Sequence, residues 1–412
     1  MFLTHKPIPH SPILFFILIE MLIILSVPLH AQTGDPANVQ PQRVIIKPQF
    51  EDFKSSSPKV ESPAPIQPSL SPQPTKRIAP VPAPTPDFTP TPPAPEASPT
   101  STTQSPVLPS APPFEELPPM NPEKTMKFRG TIGYQVLLDR QFFSPGCIDG
   151  VMGRQSRQAI AAYQLEKNLP VTGTLDDATK TSLGSTADTL TTYSLTAEDL
   201  ARLQAIPKQW KEKAKRTVLD YETALELVAE KFHGSQNSIR KLNPNLPWPN
   251  PPAGTVVTVP NTSDPKLPKA GLIQISLRQK ILRIYDKNNK LIAQFPCSIA
   301  KKEEKRPVGH LEVIKYAPEP TYLFSSDLFV EESRREGIKG KLIIPAGPNN
   351  PVGVAWIGLN RPGYGIHGTP RPEDIGLTES HGCFRLSNWN AKRLLSSISI
   401  HTPVYVETDF PR

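Results

Sequence analysis

The residues with the most distinctive chemistry lie in one stretch near the C-terminal end of the sequence, 366–386. It contains His367 in a glycine-rich setting and, sixteen residues later, Cys383 within the sequence S-H-G-C-F-R. Arg385 follows two residues after the cysteine. A thiolate is a nucleophile, an imidazole can act as its base, and a guanidinium can stabilise negative charge. These residue types predict a cysteine nucleophile with a nearby base, although a lone cysteine is more often structural.

The sequence contains three cysteines, so at least one thiol stays unpaired unless it bonds to another chain. Cys147, just before an Asp-Gly turn, and Cys297, at the end of a predicted strand, are interpreted as packed thiols. No cluster has the spacing of metal ligands, and no phosphate-binding or dinucleotide-binding glycine pattern occurs. We therefore expect chemistry that needs neither a metal nor a cofactor.

The N-terminus has the pattern of an export signal. Lys6 precedes an apolar run at 13–27, which Glu20 interrupts, and L-H-A at 29–31 is a candidate cleavage site. We predict that residues 1–31 are a cleaved signal peptide. An uncleaved membrane anchor is the alternative, although the run is short and charged for a membrane span. Both alternatives place the mature chain outside the cytoplasm, in the periplasm or cell envelope, where an unpaired cysteine needs a reason to exist.

Residues 32–122 are rich in proline, serine, threonine and alanine, and the whole sequence has 52 prolines. With few apolar residues this stretch cannot bury a core, so it predicts a disordered tether of polyproline-II character. Residues 54–122 would reach on the order of 200 Å if fully extended. The formal charge of +8 favours an anionic partner. Nucleic acid is not predicted, because no basic block is interleaved with aromatic residues.

Residues 123–187 predict a small unit of three helices, the third beginning near Asp176. The sequence D-G-V-M-G-R-Q-S-R at 149–157 is followed by A-I-A-A-Y-Q at 159–164 and by L-P-V-T-G-T-L at 169–175. This order resembles the three-helix peptidoglycan-binding domain family, with a serine at 156 where threonine is usual. The resemblance implies peptidoglycan as a partner.

Residues 188–216 are interpreted as a connector, in which Thr196 and Asp199 have the spacing of a helix capping box. Residues 217–262 predict two helices and a closing strand. The sequence L-N-P-N at 242–245 and the final G-T-V-V-T-V-P resemble a LysM glycan-binding module. Two readings remain open for this unit: glycan binding, or a structural spacer with a LysM-like core.

Residues 268–408 alternate apolar and polar residues with a period of two, as in L-I-Q-I-S-L at 272–277. They predict one mostly antiparallel β domain with a single helix, beginning at Asn388 and ending near Ser397. The predicted fold class is therefore a multidomain α+β protein.

Four motifs of this β domain occur together. They are R-P-V-G-H-L-E-V at 306–313, N-P-V-G at 350–353, I-H-G-T at 366–369 and S-H-G-C-F-R-L at 380–386. Together they resemble the catalytic domain of YkuD-type L,D-transpeptidases over residues 271–407. Phenylalanine at 384 and arginine at 306 depart from the residues more usual in that family, and neither change removes a reacting group.

The resemblance implies roles for particular residues. Cys383 would be the nucleophile, His367 the base, and the Gly368 carbonyl the group that orients the histidine. The backbone N–H groups of Gly382 and Cys383 could form an oxyanion hole. Arg385 could lower the thiol pKa or hold a substrate carboxylate. Further candidates are His381, which lines the donor pocket or supports the loop, Ser380, which shapes the loop, and Tyr364, which contacts substrate or packs.

The implied reaction is a two-step acyl transfer. The thiol attacks a peptidoglycan tetrapeptide stem and releases D-alanine, and an amine then resolves the thioester. The amine belongs to a neighbouring stem or to a lysine of an envelope protein. Two alternatives stay open: hydrolysis by the same residues, as an L,D-carboxypeptidase or cross-link hydrolase, and a non-catalytic peptidoglycan-binding scaffold.

Overall fold

A computed structural model describes residues 45–46, 121–377 and 382–410. The predicted signal peptide and nearly all of the predicted tether lie outside the described residues, as do Ser380 and His381 of the predicted site. Within the described ranges, we find no helix with the length and apolar character that a membrane crossing requires.

The first unit is the predicted set of three helices. They are α1 (Pro122–Arg140), α2 (Arg154–Glu166) and α3 (Asp177–Leu183). The Asp176 side chain accepts a hydrogen bond from the Thr179 backbone N–H and so caps α3, because the first N–H groups of a helix have no partner within it. Apolar side chains spaced along α1 and α2 meet in the interior, where Leu138, Ile160 and Tyr163 are fully buried.

The second unit contains two strands and four short helices. In chain order they are β2 (Leu190–Ser194), α4 (Ala197–Ala201), α5 (Trp210–Ala214), α6 (Ala224–Lys231), α7 (Gln236–Leu242) and β3 (Val256–Pro260). Strand β2 pairs antiparallel with β3. The first strand of this unit therefore lies within residues 188–216, which the sequence predicted as a connector. Thr196 and Asp199 form the predicted capping box at α4.

The third unit is built on one eight-stranded sheet. Its strands are β4 (Leu272–Ser276), β5 (Ile281–Tyr285), β6 (Leu291–Pro296), β7 (Gly309–Pro318), β10 (Ala355–Leu359), β11 (Gly365–His367), β12 (Phe384–Arg385) and β13 (Pro403–Glu407). Their order is β12-β11-β10-β7-β13-β4-β5-β6. Only the β11–β12 and β13–β4 pairs are parallel, so the sheet is mostly antiparallel, as predicted. Helix α9 (Asn388–Ser397) packs on it at the predicted position.

An insertion between β7 and β10 was not predicted. It contains β8 (Thr321–Ser325), α8 (Val330–Glu336) and β9 (Lys341–Ile344), so the prediction of a single helix in this domain was wrong. Strand β8 pairs antiparallel with β9 and parallel with β1 (Ile45–Ile46). On α5 the half-buried ring of Trp210 lies 4.6 Å from that of Phe324, between ring centroids. The basic segment around α5 is therefore docked on the insertion by its aromatic residue.

Three buried polar side chains, Asp139, His233 and Arg393, connect the three units in the interior. Asp139 of α1 accepts hydrogen bonds from Arg393 of α9, and its other contact is Nδ1 of His233, at 2.9 Å, in the second unit. Burial opposes ionisation of Asp139, but the charges of Arg393 and His233 outweigh it and hold the pKa of the carboxyl well below its usual range. The three units thus share a buried ionic network.

Candidate active site

Two neighbouring strands bring the predicted reactive residues to one face of the sheet. In the β11–β12 pair, Ile366 lies opposite Phe384 and His367 lies opposite Arg385. Ile366 and Phe384 are in the hydrophobic core. Because side chains alternate between the two faces of a strand, His367 and Arg385 project to the opposite face. Cys383 directly precedes β12, two residues before Arg385, so its side chain projects to the same face as those of His367 and Arg385.

The Cys383 thiol lies in a half-buried apolar setting. It packs against the cluster formed by Val352 and Trp356, and its Sγ lies 3.4 Å from the carbonyl oxygen of Gly363. Burial raises the pKa of the Cys383 thiol to about 12, which outweighs the lowering caused by a hydrogen bond to the Gly365 backbone and by the Arg385 charge. At neutral pH the resting group is a thiol.

His367 is held in one orientation. Its Nδ1 lies 2.6 Å from the carbonyl oxygen of Gly368. A carbonyl oxygen only accepts, so Nδ1 carries the proton and Nε2 keeps its lone pair. The ring stacks on Trp356 with centroids 5.6 Å apart. Burial, reinforced by the Arg385 charge, lowers the pKa of His367 to about 4, so the imidazole is neutral at neutral pH.

The backbone of Arg385 fixes the segment that carries the cysteine. Its N–H donates to the Ser298 carbonyl at 3.0 Å, and the Ser298 N–H donates to the Arg385 carbonyl at 2.9 Å. Burial lowers the pKa of the guanidinium, while the negative charge of Asp374 opposes that shift. The arginine nevertheless remains a cation across the neutral range, because its ordinary pKa is so high.

Of the other predicted site residues, the structure describes Gly382 and Tyr364. Gly382 is buried directly before the cysteine. Tyr364 is buried as well, with the Arg361 guanidinium 4.7 Å from its ring centroid. Ser380 and His381 lie outside the described residues, so the structure does not locate them. Among the residues that the structure describes, no group of three or more histidine, cysteine, aspartate or glutamate side chains is arranged to hold a metal.

Sequence reasoning missed two residues that contact the site. Trp356 stacks on the histidine and packs against the cysteine, and its only sequence signal was its place in a predicted strand. Asn388 packs against Gly368, the carbonyl partner of the histidine. Asn388 was seen only as the first residue of a helix, because its contact depends on distant parts of the chain.

A cleft of about 420 Å³ opens where the three units meet. Each unit contributes lining residues, among them Arg154 from the first, Lys241 from the second, and Lys280 and Glu373 from the third. Gln155 of α2 crosses this junction and donates to the Ile375 carbonyl at 2.6 Å. The first unit is therefore hydrogen-bonded to the loop that leads toward the cysteine.

Two family models match the chain. Residues 270–406 match the YkuD family, described as "L,D-transpeptidase catalytic domain". Residues 134–183 match a family described as "Putative peptidoglycan binding domain". These ranges coincide with the β domain and with the greater part of the three-helix unit.

Curated proteins show the same relationship. The chain is 26% identical over 183 residues to "Putative L,D-transpeptidase YkuD" of Bacillus licheniformis, covering 44% of this chain and 92% of that protein. It is 29% identical to "Probable L,D-transpeptidase YbiS" of Escherichia coli, covering 44% of this chain and 58% of that protein. It is 31% identical over 127 residues to "Putative L,D-transpeptidase YqjB" of Bacillus subtilis, covering 30% of this chain and 63% of that protein.

The fold, the site and these matches define the class. Residues 270–406 form a YkuD-type L,D-transpeptidase catalytic domain, and the chain carries a peptidoglycan-binding domain at residues 134–183.

Proposed function

We propose that the protein is a peptidoglycan L,D-transpeptidase in which Cys383 is the nucleophile and His367 the general base. The observation that carries the proposal is that the side chains of both residues project to the same face of the sheet. The histidine is held there in the Nδ1–H tautomer. That tautomer directs the basic Nε2 away from Gly368 and makes it available to a proton. The domain matches supply the substrate class, peptidoglycan.

The acylation step follows from the protonation states of the two groups. Both the thiol and the imidazole are neutral at rest, so proton transfer accompanies attack rather than preceding it. The Cys383 sulfur attacks the carbonyl carbon before the terminal D-alanine, and its proton passes to Nε2 of His367. The C–N bond then breaks, and His367 returns the proton to the departing amine. A thioester on Cys383 and free D-alanine result.

The second step resolves the thioester. An amine attacks the thioester carbonyl and His367 accepts a proton from it. The C–S bond breaks, and the proton passes to the sulfur as the thiol is restored. A side-chain amine of a neighbouring stem gives a cross-link, whereas a lysine of an envelope protein would be anchored to the wall. Water would give a tripeptide, the product of a carboxypeptidase.

The remaining site residues have supporting roles in this proposal. The N–H groups of Gly382 and Cys383 would stabilise the oxyanion, since a buried site strengthens such hydrogen bonds. Arg385 would lower the pKa of the Cys383 thiol, because its positive charge stabilises the thiolate, or it would hold a substrate carboxylate. His381 would line the donor pocket or support the loop, Ser380 would shape that loop, and Tyr364 would contact substrate or pack beside it.

The accessory units fit an enzyme of the cell envelope. The three-helix unit would bind peptidoglycan, and residues 217–262 with β2 would form the LysM-like module, as a glycan binder or a structural spacer. The N-terminal 1–31 would export the chain to the periplasm or cell envelope, and the tether at 32–122 would let the folded units reach the wall. The +8 charge favours contact with an anionic polymer.

Purified tetrapeptide muropeptides incubated with the protein and analysed by mass spectrometry test the proposal. Cross-linked dimers and D-alanine are expected from the unaltered protein, and Cys383→Ala should produce neither. Cys147→Ala, which removes a thiol elsewhere, is the matched control and should retain activity. Tripeptide without dimers would instead establish hydrolysis, and no product at all would favour the non-catalytic scaffold.

A further inference from the structure

Gly368, whose carbonyl orients His367, lies against the side chain of Asn388. The amide oxygen Oδ1 of Asn388 accepts a hydrogen bond from the Val354 N–H at 3.3 Å. A β-carbon at Gly368 would lie 2.3 Å from this oxygen, and one at Gly353 would lie 2.0 Å from it. Gly353 has a φ of +61°, a conformation that glycine adopts at little cost. The Asn388 amide therefore fits between two glycine backbones.

The other end of the Asn388 amide is bound by the second unit. Its Nδ2 donates to Oε1 and Oε2 of Glu230, at 3.1 and 3.0 Å, and to the Pro348 carbonyl at 3.2 Å. Asn388 is 1% exposed. Because the oxygen and nitrogen of an amide are held at a fixed angle in one plane, binding at Nδ2 also fixes where Oδ1 points.

Glu230 is one of two carboxylates that α6 presents to the catalytic domain. Glu226 lies one helical turn before it, on the same helix face. Oε1 of Glu226 accepts from Nδ2 of Asn349 at 2.6 Å. Asn349 and Gly353 belong to the same loop, which contains the N-P-V-G motif. Helix α6 thus holds both the loop before β10 and the start of α9, the two segments that enclose Gly368.

We propose that Glu230 and Asn388 are positioning residues for His367, so that the second unit supports the catalytic base whether or not it binds glycan. This inference rests on the proposed function. Glu230 holds the Asn388 amide, Asn388 fixes the Gly368 segment, and the Gly368 carbonyl holds the imidazole Nδ1–H. Neither Glu230 nor Asn388 touches a reacting atom.

Ionisable groups on every side of Glu230 affect its charge. Tyr221 donates its hydroxyl to Oε1 at 3.1 Å, and Glu226 approaches from the same helix. From the catalytic domain, Asn388 donates and Lys392 contributes a positive charge. Burial dominates and raises the pKa of Glu230 to about 7. The group therefore changes protonation in the neutral range, and the positioning contact should change with it.

The test compares Glu230→Ala and Asn388→Ala with Glu230→Gln, which keeps an oxygen acceptor for the Asn388 amide. For the alanine variants we expect kcat to fall at least tenfold with KM nearly unchanged, while the glutamine variant stays within about threefold. Lys231→Ala is the matched control. Lys231 is the next residue of α6 and contacts Tyr193 within its own unit, with Nζ 2.6 Å from the hydroxyl. It should leave kcat unchanged.

A second readout is independent of turnover. The ¹⁵N spectrum of histidine-labelled protein reports the tautomer of His367, assigned with His367→Ala. The unaltered protein should show one Nδ1–H tautomer, and Glu230→Ala should show a mixture. Wild-type kcat together with an unchanged tautomer in both alanine variants would overturn the proposal. If the unaltered protein forms no product, the proposed function fails, yet the tautomer measurement still decides the positioning.

If the alanine variants do not fold, the pH profile of kcat in Glu230→Gln tests whether Glu230 positions His367. The unaltered protein should show an inflection near pH 7 that the glutamine variant lacks. Identical profiles in the two proteins would overturn the inference.

Discussion

Arg393 and Asp139 form two hydrogen bonds of 2.8 and 3.0 Å in the interior, where helix α9 of the catalytic domain meets helix α1 of the peptidoglycan-binding domain. The pair joins elements that are 254 residues apart in the sequence. The peptidoglycan-binding domain is therefore docked on the catalytic domain by a specific ionic contact.

Replacing Asp139 by alanine should destabilise the protein by about 3–5 kcal/mol, because buried Arg393 would lose its buried carboxylate and keep only the exposed Asp264, whose Oδ1 lies 3.3 Å from Nε. Chemical denaturation followed by circular dichroism measures the change in the free energy of unfolding. Lys290→Ala is the control. It breaks a surface ion pair with Glu166, whose atoms lie 3.0 Å apart, and should cost less than about 1 kcal/mol. Equal losses in the two variants would contradict a structural role for the buried pair.

The reactivity of Cys383 should rise steeply with pH. Burial raises its pKa to about 12, so the thiolate, which is the reactive form, increases about tenfold for each pH unit between 7 and 10. Alkylation by iodoacetamide, followed by mass spectrometry of the peptide that contains Cys383, gives the rate. A plateau near neutral pH would instead mean that the resting enzyme holds a thiolate and an imidazolium.

Replacing Arg385 by alanine should slow that alkylation at every pH in the same range. The Arg385 charge lowers the pKa of the neighbouring thiol, so its removal leaves a smaller thiolate fraction. Arg385→Lys keeps the charge and should recover part of the rate. The strand itself should survive, since its contacts with Ser298 are made by backbone atoms. Faster alkylation in the alanine variant would show that the arginine acts by shielding the sulfur.

The titration of Glu230 should make the free energy of unfolding of the protein depend on pH. Its pKa is raised from 4.5 to about 7, so the folded protein binds the proton more tightly than the unfolded chain does. That contribution is complete below about pH 4.5 and is lost as pH rises through 7. The difference corresponds to about 3 kcal/mol. The stability of Glu230→Gln relative to the unaltered protein should therefore increase by about that amount between pH 4 and pH 8, as measured by denaturation. Parallel pH dependence in both proteins would contradict the raised pKa.

Much of the local structure could be predicted from short-range patterns. The alternation in residues 272–276 and 403–407 matches strands β4 and β13, and the capping pair Thr196–Asp199 marks the start of α4. These patterns depend on neighbours one to four residues apart. The insertion that contains β8, α8 and β9 has no comparable pattern, because its apolar residues pack against Trp210 more than a hundred residues away.

The sequence predicted which side chains lie together at the candidate site, but not the residues that surround them. The spacing of His367, Cys383 and Arg385 predicted that they act together, and the sheet register places them on one face. The protonation states follow instead from burial. A lowered thiol pKa was one of the two roles that the sequence predicted for Arg385. Its charge does act in that direction, but desolvation is the larger effect, and only the packed structure shows how much water is excluded.

By itself the sequence determined the chemical groups, the alternation that directs them to one face, and the domain family that this part of the chain matches. The tertiary structure decided which distant residues hold those groups. Asn388 and Glu230 lie 158 positions apart and meet only because α6 packs against the catalytic domain. Local periodicity carries information about secondary structure, whereas such contacts depend on how complete elements pack, and no short stretch of sequence encodes that.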